Sequence, residues 1–388
     1  MSSARALTDS EAESPDYELE IAVLGSRVRI RCDQADTRNL LAAEWARCSA
    51  REEDVDVLAV VEAPGAPDVP TFGYRLATNI TTLAARAASG SLWVVHGCGV
   101  ATDDGDVIAL VGPSGSGKTT AAIALTTSEF GYVTDEAVGI TPLGKVIAYP
   151  KPLSLVSEMH PSIKTQHGPD ALGLRRCPAD LRLRAVVLLE RDNDVTTPWV
   201  ESVPLIDGLL ELAQLSVDVT SFSRPFIQLS TLLDACGGAK RLHYSEVSAA
   251  AGILRQLVTE EPRASVWRPA GEPYDGEDMR WGLLDGRVRR TPWTDAVIVE
   301  GEALVLLGRT PVRLSGIGLT IWQAAVDQPT LDNLVEVVVD VHGPHPEARA
   351  QVHEAVEHMV QAGVVVRGAP QRLGSLLSRS AATSTAVP

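Results

Sequence analysis

Apolar residues along this chain change rhythm twice. Over Tyr17–Val23 and Val28–Cys32 they alternate with polar ones, the period of a half-buried strand, and Gly25-Ser26 between the two suits a hairpin turn. A helix is expected around Arg38–Arg47, a strand over Val57–Val61, a loop over Pro64–Pro70 and a helix over Ala77–Ala88. Residues 17–90 therefore read as a small α+β unit, after residues 1–16, whose Ser, Ala, Asp and Glu content predicts disorder. In the middle of the chain, unbroken apolar runs replace the alternation. Leu92–Val95, Val107–Val111, Tyr132–Thr134 and Ala185–Leu189 have the pattern of strands covered on both faces. Helices are expected over Phe226–Cys236 and Ser245–Thr259, so residues 91–260 read as an α/β domain. Pro262, Pro269 and Pro273 with glycines and acids mark 261–284 as a linker. Beyond it, Ala296–Val299 and Ala303–Leu307 flank Glu300-Gly301-Glu302, a hairpin signal. Three helical stretches come next, 315–326, 330–341 and 346–362, and Val364–Val366 returns as a strand. A hairpin, three helices and a wing make a small winged-helix module over 285–368, before a polar tail, 369–388, expected to be disordered.

Composition narrows the choice of partners. At 388 residues the chain exceeds what one hydrophobic core usually serves. Its net charge of −16 argues against a nucleic-acid or membrane-surface role, which needs a basic face. The cysteines Cys32, Cys48, Cys98, Cys177 and Cys236 are scattered without metal-ligand spacing and read as reduced, buried thiols. No apolar run reaches transmembrane length and the first twenty residues lack signal-peptide character, so a cytoplasmic location is expected. Oligomerisation stays open.

The candidate chemistry centres on Gly112-Pro113-Ser114-Gly115-Ser116-Gly117-Lys118-Thr119, a phosphate-loop pattern in its proper setting. A buried strand precedes it, and Thr120 onward starts a helix. Glycines let backbone N–H groups close around phosphates, and the helix N-terminus adds partial positive charge. Lys118 is expected at the β- and γ-phosphates of ATP, and the Thr119 hydroxyl on Mg²⁺. No Leu-Ser-Gly-Gly-like signature of an ABC-type ATPase occurs downstream.

The order His96-Gly97, hairpin, phosphate loop, then Val133-Thr134-Asp135-Glu136-Ala137-Val138 resembles the HPr kinase/phosphorylase catalytic domain. The likeness covers residues 91–150 well and the remainder of that domain loosely. It implies a phosphate-loop kinase fold, with ATP and Mg²⁺ as cofactors. An aspartate at a strand end beside the loop can accept a hydroxyl proton. Asp135 is therefore the expected base, with Glu136 orienting it or reaching Mg²⁺, and His96 bonding the acid pair or a phosphate. Alternatives stay open: a solvated acid pair, and a core histidine at 96. The family shows two aspartates where this chain has Asp135-Glu136. Its glycine-rich signature with a metal-serving glutamate has no match, since Glu158 lies in the right region between the unmatched Ser157, Met159 and His160. HPr as substrate and phosphorylase reversal lack support. Arg175 and Arg176 could lend cationic help or be a solvated pair; Glu190 could imitate a Walker B acid or be a strand-end charge.

The C-terminal segment Val312–Trp322, Thr330-Leu331-Asp332-Asn333-Leu334 and Ala355–Val365 resembles the PqqD-type peptide chaperone, or RiPP recognition element, over 285–367. That likeness implies capture of the leader of a precursor peptide by strand addition to an exposed hairpin edge, here 296–307, against the 346–362 helix. A packing module or a DNA reader is the alternative, the latter weakened by Glu347, Glu354 and Glu357. Jointly the two resemblances imply an ATP-dependent kinase that phosphorylates a Ser/Thr-type hydroxyl of a peptide or small protein. The rivals are a non-catalytic, ATP-regulated peptide chaperone and a small-molecule kinase.

Overall fold

The computed structural model describes residues 17–50, 57–63, 71–156, 163–275 and 286–368. The segments 1–16 and 369–388, the 64–70 loop, Ser157 to His160 with Glu158, and the 276–284 part of the expected linker lie outside the described residues. The fold is mixed α/β with several sheets and, among the described residues, nine α-helices. Its described residues form two compact units: those up to 222 with 231–264, and residues 223–230 with those from 265 onward.

The first unit begins with β1 (Tyr17–Val23) and β2 (Ser26–Cys32), antiparallel across a turn at Leu24 and Gly25. Both turn residues have positive φ, 50° and 79°, the backbone of a two-residue hairpin whose twist matches its strands. Helix α1 (Ala35–Glu44) comes next, then β3 (Val57–Ala63), which runs parallel to β2, and α2 (Phe72–Ala87). The expected helices lie a few residues earlier than their apolar pattern suggested. This segment is not a separate body, because its core, with Ile21, Leu41 and Ile80, also takes in Leu92, Val94, Ala137 and Tyr149 from further along the chain.

The large sheet starts with the hairpin β4 (Trp93–Ala101) and β5 (Asp106–Val111), and α3 (Lys118–Thr126) leaves β5 through the glycine loop. Then come β6 (Gly131–Thr134), β7 (Ala137–Ile140) and β8 (Val146–Ile147). A separate pair, β9 (Leu153–Val156) with β10 (Lys164–His167), precedes β11 (Arg182–Arg191), β12 (Trp199–Ser202), α4 (Leu205–Leu215), α5 (Pro225–Ala235), β13 (Ala239–Tyr244) and α6 (Ala251–Thr259). The order across the sheet is β12-β13-β11-β5-β4-β7-β8, with β6 also on β4. Strand β11 is parallel to β5 and β13, while β4 is antiparallel to β5, β6 and β7. Helices α3 and α6 bury Ala121, Ala122, Leu125, Leu254 and Leu257 against Val100, Ile108, Leu110, Val187 and Leu189. Gly97 is needed in β4 because a Cβ there would stand 2.9 Å from the Leu110 carbonyl oxygen. Strands β7 and β13 and helix α4 were not expected beforehand, although α4 buries Leu205, Ile206, Leu209 and Leu212 at helical spacing. Among the described residues, no helix is long and apolar enough to cross a membrane. All five thiols are free, four of them buried and Cys177 half-buried.

The second unit contains β14 (Trp267–Pro269), β15 (Val288–Arg290), β16 (Asp295–Val299), β17 (Glu302–Leu307) and β18 (Thr310–Ser315), then α7 (Gly316–Ala324), α8 (Leu331–His342), α9 (Ala348–Gln361) and β19 (Val365–Arg367). A capping box between Thr330 and Asn333 starts α8. The core packs Trp293 and Trp322 edge to face with centroids 5.6 Å apart, among Val305, Leu334, Val352 and Val356. Two expectations are corrected. The 261–284 linker contains a strand, since Trp267–Pro269 pairs with Val297–Val299. The 296–307 hairpin has no free edge: β14 covers β16, β18 covers β17, and among the described residues β18 itself ends the sheet.

A pH dependence arises from α1. Burial pushes the Glu44 carboxyl up from 4.5 to about 7. Folding then retains a proton that the unfolded chain releases, which stabilises fully below 4.5 and is lost as the pH rises to about 7. Glu44→Gln is expected to raise the thermal midpoint at pH 8 by about 2–4 °C and leave it unchanged at pH 4, by scanning calorimetry.

Candidate nucleotide site

The loop between β5 and α3 has the geometry its glycines allow. Gly115 and Gly117 hold φ of 86° and 87°, a left-handed backbone that costs other residues roughly 1–2 kcal/mol. Gly117 is the N-cap of α3. At Gly112 a Cβ would come within 2.6 Å of Ser116 Oγ. That hydroxyl is buried and bonds no other described group. The loop is tied down from β13, whose Tyr244 hydroxyl donates to the Ser116 carbonyl at 2.8 Å. Lys118 is buried and donates to the carbonyls of Gly112 at 2.8 Å and Pro113 at 2.7 Å. Burial lowers its ammonium below the ordinary lysine range, with Glu136 and Asp135 among the groups that oppose this.

Facing the loop is the turn from β6 to β7. The Thr119 hydroxyl donates to Asp135 Oδ2 at 3.2 Å. Asp135 Oδ1 lies 3.1 Å from Lys151 Nζ and 3.2 Å from the Tyr132 hydroxyl. Lys151 also reaches Glu136 Oε2 at 3.0 Å and the Pro152 carbonyl at 3.0 Å. Asp135 is 4% exposed and Lys151 1%, whereas the Glu136 side chain keeps 33% of its surface open. Burial alone would depress the Lys151 ammonium; Asp135 and Glu136 outweigh it, so its affinity for the proton ends above the ordinary value. His96, on β4, pairs across to Ala137 of β7. Its imidazole is shifted down by burial and by Lys118, against the pull of Glu136 and Asp135.

The structure thus gathers Lys118, Thr119, Asp135, Glu136 and His96 around the loop, as their order in the chain suggested. It assigns their neighbours differently: Thr119 meets Asp135, while the Glu136 carboxylate is held by Lys151. Ser114 and Thr120 are exposed at the loop and the start of α3. Arg175 and Arg176 are engaged elsewhere, with Asp103 and Asp170. Glu190 is exposed and paired with Arg241; alternation along β11 puts it on the face opposite Leu189, which packs with α3. The residues missed beforehand are Lys151, Tyr132 and Tyr244. A lone lysine inside the apolar stretch Ala148-Tyr149-Pro150-Lys151-Pro152-Leu153 was the available signal, because a fully buried lysine needs a partner. Among the described residues no cluster of three or more His, Cys, Asp or Glu forms a ready-made metal cage. The donors that fit a magnesium ion are one hydroxyl and one carboxylate, Thr119 and Asp135, in keeping with an ion that draws its other ligands from phosphate and water. Compared with known proteins, the chain matches no family model and no curated sequence.

The imidazole gives a direct check. Followed by NMR, His96 should titrate below 6.5, and further below it in Glu136→Gln, where a carboxylate that favours the charged ring is gone. Titration at or above 6.5 would contradict the geometry.

Proposed function

We propose that the protein binds Mg-ATP at the 112–119 loop and transfers the γ-phosphoryl group to a hydroxyl, with a peptide or small protein as the acceptor. The observation that carries this reading is the hydrogen bond from Thr119 to Asp135. A phosphate-loop hydroxyl beside a strand-end carboxylate is the pairing phosphoryl-transfer sites use for magnesium. A turn that only joined a strand to a helix would need neither group. The left-handed glycines and the unpartnered Ser116 hydroxyl add support, as does Lys118, which spends two N–H donors on loop carbonyls and keeps a third. The HPr kinase-like and PqqD-like resemblances belong to the same reading. The sheet order, with an antiparallel β4 carrying His96 beside the loop strand, is compatible with the first. Three helices following an antiparallel sheet are compatible with the second, where β18 offers the edge for an added strand.

In this reading Thr119 and Asp135 hold Mg²⁺, which when bound offsets charge on the phosphates. The acceptor oxygen bonds to the γ-phosphorus, the bond from that phosphorus to the bridging oxygen breaks, and ADP leaves. The hydroxyl proton passes to a carboxylate. Exposure favours Glu136 over Asp135 for that step, the reverse of the division expected beforehand, because both Asp135 oxygens are already engaged. The same enclosure of Asp135 is what favours the rival reading, an ATP-regulated chaperone that binds without turnover.

Calorimetry and mass spectrometry separate these. Lys118→Ala is expected to weaken Mg-ATP binding by about 100-fold, near 2.7 kcal/mol. Glu136→Gln should keep Mg-ATP affinity and lose roughly 100-fold or more in phosphate transfer to candidate peptides, read by mass. Binding by the wild type with no transfer to any hydroxyl acceptor supports the chaperone instead.

A further inference from the structure

We propose that Lys151 is a positioning residue: its buried ammonium bridges Asp135 and Glu136 and turns them to different tasks, Asp135 toward the Thr119 hydroxyl and Glu136 toward the open side of the site. This rests on the nucleotide reading above. Two carboxylates on consecutive residues repel, and with nothing between them they would swing apart or share one proton. Lys151 Nζ stands 3.1 Å from Asp135 and 3.0 Å from Glu136. Its third contact is the Pro152 carbonyl at 3.0 Å. An ammonium has three N–H donors, and these three acceptors use them all. Nothing remains for a phosphate or an acceptor, so Lys151 acts through the carboxylates and not on the substrate. Lys118, with two carbonyl partners, is the opposite case.

The lysine is also held in place. Pro150 and Pro152 flank it, and proline fixes the backbone on either side. The Tyr132 hydroxyl lies 3.0 Å from the Lys151 carbonyl and 3.2 Å from Asp135 Oδ1, joining the lysine's own backbone to the carboxylate it holds. Backbone bonding from Tyr149 N–H to the Val133 carbonyl at 3.1 Å fixes the segment to β6. The bridge is therefore rigid on both sides, as a group that orients others must be.

The test is ATP binding by calorimetry with and without Mg²⁺, in the wild type, Glu136→Gln, Lys151→Met and the double variant Lys151→Met/Glu136→Gln. The double variant removes one charge of each sign and keeps the experiment readable if Lys151→Met alone does not fold. Lys151→Met and the double variant should bind metal-free ATP within about threefold of wild type and lose the Mg²⁺ enhancement, by roughly 10–100-fold, the usual effect of removing a ligand's support. Glu136→Gln alone should keep the enhancement, because Lys151 still holds Asp135. An undiminished Mg²⁺ effect in both Lys151 variants overturns the proposal. So does equal loss of binding with and without Mg²⁺, which would mean a purely structural lysine. A wild type that binds no ATP in either condition overturns the nucleotide reading itself, and the wild-type control tells the two failures apart.

Discussion

A positive charge sealed between two negative ones organises the centre of the first unit. Lys151 cannot leave its enclosure without stranding the buried Asp135, and breaking such a buried pair from one side costs about 3–5 kcal/mol. The cost ties together parts of the chain far apart in sequence. The β6–β7 turn supplies the carboxylates, the segment after β8 supplies the ammonium, and Thr119 carries the connection into α3 and so to the phosphate loop. Strand β4 borders the same cluster, since His96 lies opposite Ala137, one residue beyond Glu136. Local choices agree: glycine at 97 lets strands close up, glycine at 112 makes room for Ser116, and left-handed glycines at 115 and 117 turn the loop back onto the helix.

The cluster also balances its own charge. Lys118 and Lys151 oppose Asp135 and Glu136, so the region is formally neutral before any phosphate arrives. The chain as a whole is strongly acidic, at −16, and would repel a polyphosphate. What offers attraction is therefore local: fixed N–H dipoles, the start of α3 and the one ammonium with a donor to spare.

How much was legible in advance depends on the range of each signal. The glycine loop, its strand and its helix were readable because the pattern is local and each letter has a separate physical job. His96 and the acid pair were readable as candidates because the acids end the strand that follows that loop's helix and His96 lies on the strand that precedes the loop strand. Lys151 was not, since its partners lie sixteen and fifteen residues away and only the closing of β6 against the 149–151 segment brings them together. Strands β7 and β13 were missed for a related reason. Gly139 and Lys240-Arg241 interrupt the apolar runs, and pairing with β4 and β11 makes strands of these short segments. In the second unit the hairpin was correctly placed, but its edges were not, because β14 comes from a proline-rich stretch that reads as a linker until β16 is there to pair with it.

The outer strand of that second sheet carries one more consequence. Pro311 sits in β18 opposite Leu306. A proline is tolerated within a sheet where its nitrogen points away from the neighbouring strand. The rim therefore lacks a hydrogen at that point, and only residues two and four further on, Arg313 and Ser315, present outward amide hydrogens beyond it. Arg313 is also leashed to Glu302 on the next strand. Such a rim resists zippering onto a copy of itself, which requires a full ladder of hydrogen bonds.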